Sequence, residues 1–548
     1  MSTSVTAPEP RACYLVRSDG QRLPVSPDDA ISVIDSSPER AWYRLRSPCD
    51  SDGSEYASLV TIFDYRPDPN SIYLAQGYQS WSFSGIRRVG ETVERPGADM
   101  AALAHFSHLE PPLGPSSVES EYFVVFGDLA GLVLRCDRFG ACFFEHDGCL
   151  TVSVDISRAR LREGEELDVL AFARVPPEAP EARLEAAWAL LQSSGLSKRA
   201  RVQRATTTGW CSWYQYFHSV DEKAFLSNLQ IASEKLGFLD VFQLDDGYQS
   251  AIGDWLETNG KFPSGLEAIA KRVAEEGFVP GIWIAPFLAT TNSSLWEKHR
   301  DWFLALPNSS PVPAMLNPAW GGNGLAYSLD CTNPEVLGWL EELGSTLRQW
   351  GFRYVKIDFC YAAAMRGRSS EPVGRLEALR KGLSALRRGL GEDVFLLGCG
   401  MPLWPAVGIV DGMRIGPDVA PFLFPEAEIY GLTHSLPAVS NAWRNTIAAA
   451  LTHRSLWLAD PDCVMLRRRE TKLDEKTARA WAERVASFGH MLLFSDDLSL
   501  YAPEDFEFAH RLVETARASD RPPGVPPVHL DPLDPESYAI AAGGTTKG

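Results

Sequence analysis

No run among the 548 residues is apolar for the length of a membrane span, so a helix crossing a bilayer is excluded. The chain also lacks CxxC and HExxH. Its ten cysteines are scattered, which indicates neither a zinc site nor a dense disulfide framework, and no metal or cofactor is expected. Positive charge is scarce: 52 basic against 71 acidic side chains leave a formal charge of -19, which disfavours nucleic acid and acidic membrane surfaces as partners. Met1 to Arg17 contains Pro8, Glu9, Pro10 and Arg11 and no continuous apolar segment, so neither a signal nor a transit peptide is expected. A reducing cytoplasm follows as the expected location. Without a secretory signal, the triplets Asn292-Ser293-Ser294 and Asn308-Ser309-Ser310 are read as accidental glycosylation matches.

What is present is ordinary for a globular protein, with 45% hydrophobic and 22% charged residues and a length that suggests two to four domains. Residues 1–177 read as an N-terminal antiparallel β-sandwich. Tyr122 to Phe126, Gly131 to Cys136, Leu150 to Val154 and Leu167 to Phe172 are short strand-like runs separated by Gly, Asp and Ser turn signals. Within this region Gly77-Tyr78-Gln79-Ser80-Trp81-Ser82-Phe83-Ser84-Gly85 sets aromatic and polar residues between glycines. It reads equally as a recognition loop or as a turn over tucked aromatics. Residues 178–204 form a linker, helical from Glu178 to Leu191.

From Thr206 the pattern becomes strands alternating with helices. Eight strands are expected, at 206–213, 238–245, 279–286, 352–358, 393–399, 408–415, 455–460 and 490–495. Helices are expected between them at Leu266 to Glu276, Pro334 to Gln349, Gly374 to Leu390, Ala438 to Thr452 and Glu475 to Phe488. Eight such units predict a (β/α)8 TIM barrel over 205–518, which would place a site at the C-terminal strand ends. A doubly wound open sheet is the structural competitor, and the missing GxGxxG after the first strand counts against it.

Polar groups gather at those strand ends: Asp245-Asp246-Gly247-Tyr248, Gly281-Ile282-Trp283, Lys356-Ile357-Asp358, Gly398-Cys399-Gly400 and Arg414-Ile415-Gly416-Pro417-Asp418. Each has a bland explanation. The paired aspartates can cap a helix, Lys356 can neutralise Asp358 on the same strand face, Arg414 and Asp418 can form a rim ion pair, and Trp283 and Cys399 can be core. Their convergence on one face of one barrel is what favours a functional reading.

In this order, the motifs resemble the clan of retaining glycosidases that holds glycoside hydrolase families 27 and 36, and most closely the family 36 α-galactosidases. The resemblance runs from Gly77-Tyr78-Gln79-Ser80-Trp81 through Gly209-Trp210-Cys211-Ser212-Trp213 to about Phe494. It implies Asp358 as nucleophile and Asp418 as general acid/base. Family members usually carry a C-terminal β-sandwich. Here a helix-like stretch from Glu504 to Arg517 is followed by a short tail, 519–548, so that a reduced or absent C-terminal β domain is expected.

The chemistry agrees with the resemblance. Glycoside cleavage needs a protonated carboxyl at the leaving oxygen and an ionised one at the anomeric carbon. Lys356 would hold Asp358 ionised, Asp418 must keep a proton, and Arg414 would therefore contact sugar or the nucleophile side rather than Asp418. A retaining enzyme would hold the two carboxyls about 5 to 5.5 Å apart. For an α-galactoside oligosaccharide substrate, Asp245 and Asp246 can accept from the C4 and C6 hydroxyls, Lys356 can donate at C3 and C4, and Trp81, Trp213 or Trp283 can supply a flat wall. By the resemblance Cys399 lies near C2 and favours galactose over N-acetylgalactosamine. Two alternatives stay open: a transglycosidase of the raffinose-synthase kind, and a non-catalytic carbohydrate-binding protein. A homo-oligomer, with Trp81 reaching a neighbouring subunit's mouth, also stays open.

Overall fold

Alternation builds the first half of the molecule. In the strand Cys149–Asp155, Leu150, Val152 and Val154 enter the core, while Thr151 and Ser153 turn to the other face. The computed structural model describes residues 8–17, 20–36, 40–46, 56–94, 116–134, 140–155, 166–175, 181–429, 431–525, 531 and 533–540. Two antiparallel sheets pack face to face. One has six strands in the order Arg22–Val25, Pro10–Arg17, Tyr56–Phe63, Cys149–Asp155, Ala141–His146 and Glu119–Glu121. The other has seven, in the order Ile31–Ser36, Arg40–Arg46, Glu166–Arg174, Leu129–Val133, Phe123–Val125, Ile72–Ala75 and Gly85–Arg88. Tyr43, Phe63 and Phe172 meet edge to face between them, with centroids 5.1 to 5.8 Å apart. The expected sandwich is therefore present. Arg135 and Cys136 of the second expected strand lie outside the described residues, as do residues 1–7 of the N-terminal segment.

Helices Glu181–Ser193 and Leu196–Arg199 follow the sandwich; the expected start of the first, residues 178–180, lies outside the described residues. The eight parallel barrel strands then come in turn: Thr208–Cys211, Val241–Leu244, Val279–Ile284, Tyr354–Ile357, Phe395–Gly398, Gly412–Arg414, Leu458–Asp460 and Leu492–Phe494. Each falls inside its expected range. Continuous ladders join neighbours from the eighth strand through the first to the seventh. The seam between seventh and eighth is closed by individual bonds: Met491 N to Ala459 O (3.0 Å), Val464 N to Leu493 O (2.8 Å) and Ser495 N to Val464 O (3.0 Å).

The surrounding helices are amphipathic. Leu266–Glu275 buries Leu266, Ile269, Ala270 and Val273, one face of a 3.6-residue period. Pro334–Gln349 starts with Pro334 at its first turn behind Asn333, whose side chain accepts from Glu335 N. The helix expected over Ala438 to Thr452 is shorter, Val439–Ala448, because the chain turns at Ala449, where Thr452 N bonds back, to enter the seventh strand. An insertion after the third strand forms a small antiparallel sheet of Leu288–Thr290, Leu325–Ser328 and Pro313–Leu316. After Phe494 the described residues hold the helix Pro503–Ser519 and two short 3₁₀ turns, with no strand among them.

The segment Gly77 to Gly85 crosses from the sandwich onto the barrel and is bonded to it along its length. Ser80 N donates to Met401 O (3.2 Å), and Leu403 N donates to Tyr78 O (3.2 Å). Asn445, on the helix after the sixth strand, receives Ser84 N (3.1 Å) and donates to Ser82 O (2.8 Å). Tyr122 stacks on Trp404 at 5.6 Å, and Arg375 pairs with Asp155 at 3.5 Å. Tyr78 is tucked beneath the segment, while Trp81 is carried against Phe359 at the end of the fourth barrel strand.

Candidate active site

The fourth barrel strand ends at Ile357, with Lys356 inside it and Asp358 one residue past it. Lys356 is buried, and its Nζ lies 3.0 Å from Asp245 Oδ2 on the second strand's end. Burial pushes the ammonium down, and the charges of Asp245 first, then Cys399 and Asp358, together hold Lys356 well above its ordinary value. Asp245 also accepts from Gln243 Nε2 and, through Oδ1, from Asp246 N at 2.9 Å. The direct ion pair of Lys356 is thus with Asp245, while the Asp358 charge acts on the lysine without a contact. Although the two side chains share a strand face, the lysine stem crosses the barrel floor to a different carboxylate.

Asp358 is oriented by other groups. Its Oδ2 accepts from Trp283 Nε1 at 3.1 Å, and its Oδ1 accepts from the Phe359 amide at 2.8 Å; Phe359 itself is left-handed, at φ 50°. Trp283 is fully buried and packs edge-on against Trp255 at 5.7 Å, so it serves as a donor to Asp358 and offers no open ring wall. Opposite stands Gly400, at φ 51°. A Cβ there would lie 2.9 Å from Asp358 Oδ1, 2.9 Å from Phe359 N and 2.9 Å from the Trp81 ring. Only glycine lets the sandwich loop and Asp358 approach this closely. Trp81 rests edge-on against Phe359 (5.2 Å) and Tyr361 (6.0 Å), within the mouth of its own chain.

Asp246 faces the insertion. Its Oδ2 accepts from Trp320 Nε1 at 3.1 Å and lies 3.3 Å from His218 Nδ1, while its Oδ1 accepts from Gln249 Nε2 at 2.6 Å. Trp213, half-buried after the first strand, meets the rings of Phe217 and His218 edge-on at 5.1 Å. Trp320 was missed in the sequence because it belongs to an insertion rather than to a strand end. Its position in the small sheet's turn, among Pro318, Gly321 and Gly322, was the available signal.

The sixth strand ends in Arg414, whose three guanidinium nitrogens reach three carboxylates. Nη1 lies 3.0 Å from Asp418 Oδ1, Nε 3.1 Å from Asp460 Oδ2 and Nη2 2.7 Å from Asp462 Oδ1. The expectation that Arg414 avoids Asp418 is corrected by this contact. Asp418 is nevertheless pushed up to about 7, by desolvation first and the Asp462 charge second, against the pull of Arg414; the Asp358 charge adds to the rise. A third of its side chain still meets solvent at the mouth, so the enclosing walls act on a group a substrate can reach. Cys399 is fully buried on the fifth strand's end, its thiol pushed well up by burial and by the Asp358 charge. Asp460 and Asp462, at the end of the seventh strand, were also missed. The signal was the one that found the others: acids at a strand's C-terminal end.

Residues 205–375 match the Melibiase family model. The α-galactosidase AgaA of Geobacillus stearothermophilus is 31% identical over 168 residues, which cover 29% of this chain and 21% of that protein. The aligned part is thus about a fifth of that relative's length. Among solved structures, the Thermus thermophilus α-galactosidase in complex with p-nitrophenyl α-D-galactopyranoside is 27% identical, covering 87% of this chain and 92% of that one at a TM-score of 0.69. The same enzyme is known in complex with stachyose. The family 36 α-galactosidase AgaA shares the fold at 14% identity and a TM-score of 0.57, over 94% of this chain and 74% of that one. The resemblance to family 36 α-galactosidases, like the sandwich-and-barrel fold, is upheld.

Proposed function

We propose that the chain is a retaining α-galactosidase that releases terminal α-linked galactose from oligosaccharides by double displacement. The observation that carries this reading is the contrast between two carboxyls. Both Asp358 oxygens accept N–H bonds, as suits an acceptor-only carboxylate, while Asp418 is held up at about 7 and still carries a proton in about half of the molecules at neutral pH. Asp358 attacks the anomeric carbon as Asp418 gives its proton to the leaving oxygen, which forms a galactosyl ester and frees the aglycone alcohol. Asp418 then takes a proton from water as that water attacks the ester, so galactose leaves with its configuration kept. Lys356 spends one donor on Asp245 and presents its others to the C3 and C4 hydroxyls. Asp246, supported by Trp320, accepts from a sugar hydroxyl. Trp81 closes the mouth over Asp358, and Cys399 crowds C2. The Thermus thermophilus complexes support the substrate class.

The test is incubation with p-nitrophenyl α-D-galactopyranoside, followed by NMR of the first-formed anomer. α-Galactose is expected, and Asp358→Ala should abolish release; β-galactose as first product, or hydrolysis surviving that substitution, would refute the mechanism. kcat/KM should fall on the basic side with a midpoint near 7, where free Asp418 loses its proton.

A further inference from the structure

Arg414 poses a problem for the acid. A guanidinium within bonding distance normally pulls a carboxyl down by about 1–3 pH units, yet Asp418 stays high. The answer lies in how donors are shared around Asp462. Its carboxylate accepts from Arg414 Nη2 (2.7 Å), Cys463 N (2.7 Å), Val419 N (2.8 Å) and the Tyr214 hydroxyl. Asp418 accepts from Arg414 alone among the described residues. One guanidinium therefore faces three carboxyls. Burial raises both Asp418 and Asp462, but Asp462 holds the more donors, which favours the negative charge there and the proton on Asp418.

We propose that Asp462 is a positioning residue for the acid/base: it takes one arm of Arg414, anchors the peptide of Val419 beside Asp418, and so leaves Asp418 as the proton carrier. Asp462 touches no reacting atom and acts through Arg414 and Val419. It is held in turn by a left-handed backbone at φ 86°, a conformation that persists only when its surroundings compel it. The charged and titratable groups that act on Asp418 are Arg414, Asp462, Asp358 and Lys356, with Tyr214 and Cys399 sensing its charge. Those that act on Asp462 are Arg414, Asp460, Lys356 and Tyr214, with the Cys463 thiol beside it. Removing the Asp462 charge takes away a repulsion that favours the protonated acid and frees Arg414 for Asp418, so both effects act in the same direction.

This rests on the α-galactosidase reading, and the experiment separates the two. kcat/KM is measured against pH for stachyose, whose leaving group needs a proton, and for p-nitrophenyl α-D-galactopyranoside, whose leaving group needs one less. In Asp462→Asn the basic limb on stachyose is expected to move down by about 1 pH unit, and at neutral pH the loss on stachyose should exceed that on the aryl substrate. A purely structural role would lower both substrates alike and leave the limb in place. A folded Asp462→Asn enzyme with an unmoved limb overturns the inference. If circular dichroism shows that Asp462→Asn does not fold, Tyr214→Phe carries the test. It removes the hydroxyl donor that steadies the Asp462 charge, so its basic limb should also move down; an unmoved limb overturns the inference. A wild-type protein that cleaves neither substrate defeats the α-galactosidase reading and this inference with it.

Discussion

Two residues show how little slack the site has. Gly400 cannot carry a Cβ without meeting Asp358, Phe359 and Trp81 at 2.9 Å. Gly400→Ala should therefore lower kcat about 100-fold by displacing Asp358, the proposed nucleophile, while folding to a cooperative unit, as steady-state kinetics beside a thermal melt will show. Lys356 and Asp245 form a buried ion pair, and removing one partner strands the other. Lys356→Met should cost about 3–5 kcal/mol in denaturant unfolding, and adding Asp245→Asn to it should recover part of that loss. That Asp245, Lys356, Asp358, Cys399, Arg414 and Asp418 stand at or just past the C-terminal ends of barrel strands was legible in the sequence, because those strands are short apolar runs. Their pairings were not. Lys356 lies two residues from Asp358 in the chain but bonds across the floor to Asp245, a contact that barrel closure creates.

At the scale of elements, the eight strands were legible because each is a short apolar run bounded by turn residues, and because the helices between them keep a 3.6-residue period. The insertion that supplies Trp320 was not legible as a sheet, since its three strands are only three or four residues long. The segment Gly77 to Gly85 was recognisable as unusual, but its destination depends on Asn445, more than 350 residues away in the chain. Asn445 bonds the segment through both Ser82 O and Ser84 N, and also donates to Ile415 O at 3.3 Å, on the stretch leading to Asp418. Asn445→Ala should cost about 1–3 kcal/mol of stability through the buried groups it strands. It should also lower kcat/KM on α-galactosides, because Trp81 and Asp418 lose a shared support. Thermal unfolding and kinetics on the same preparation will measure both effects.

In the whole molecule, the sandwich is part of the site's wall. Tyr122 on Trp404, Arg375 with Asp155, and the bonds along the crossing segment join it to the barrel face that carries the carboxyls. A fold class could be read from the order of strand-like runs and alternating elements, but this junction could not. Its contacts are made by single residues with no periodic pattern to announce them.

Trp81 meets Phe359 and Tyr361 within one polypeptide, and under the proposed function this governs how catalytic output scales with the amount of protein. An enzyme that borrows a wall from a partner loses specific activity as dilution separates the copies, whereas one that carries its own does not. Turnover per chain should therefore stay constant from micromolar to subnanomolar protein, with initial rates strictly first order in enzyme.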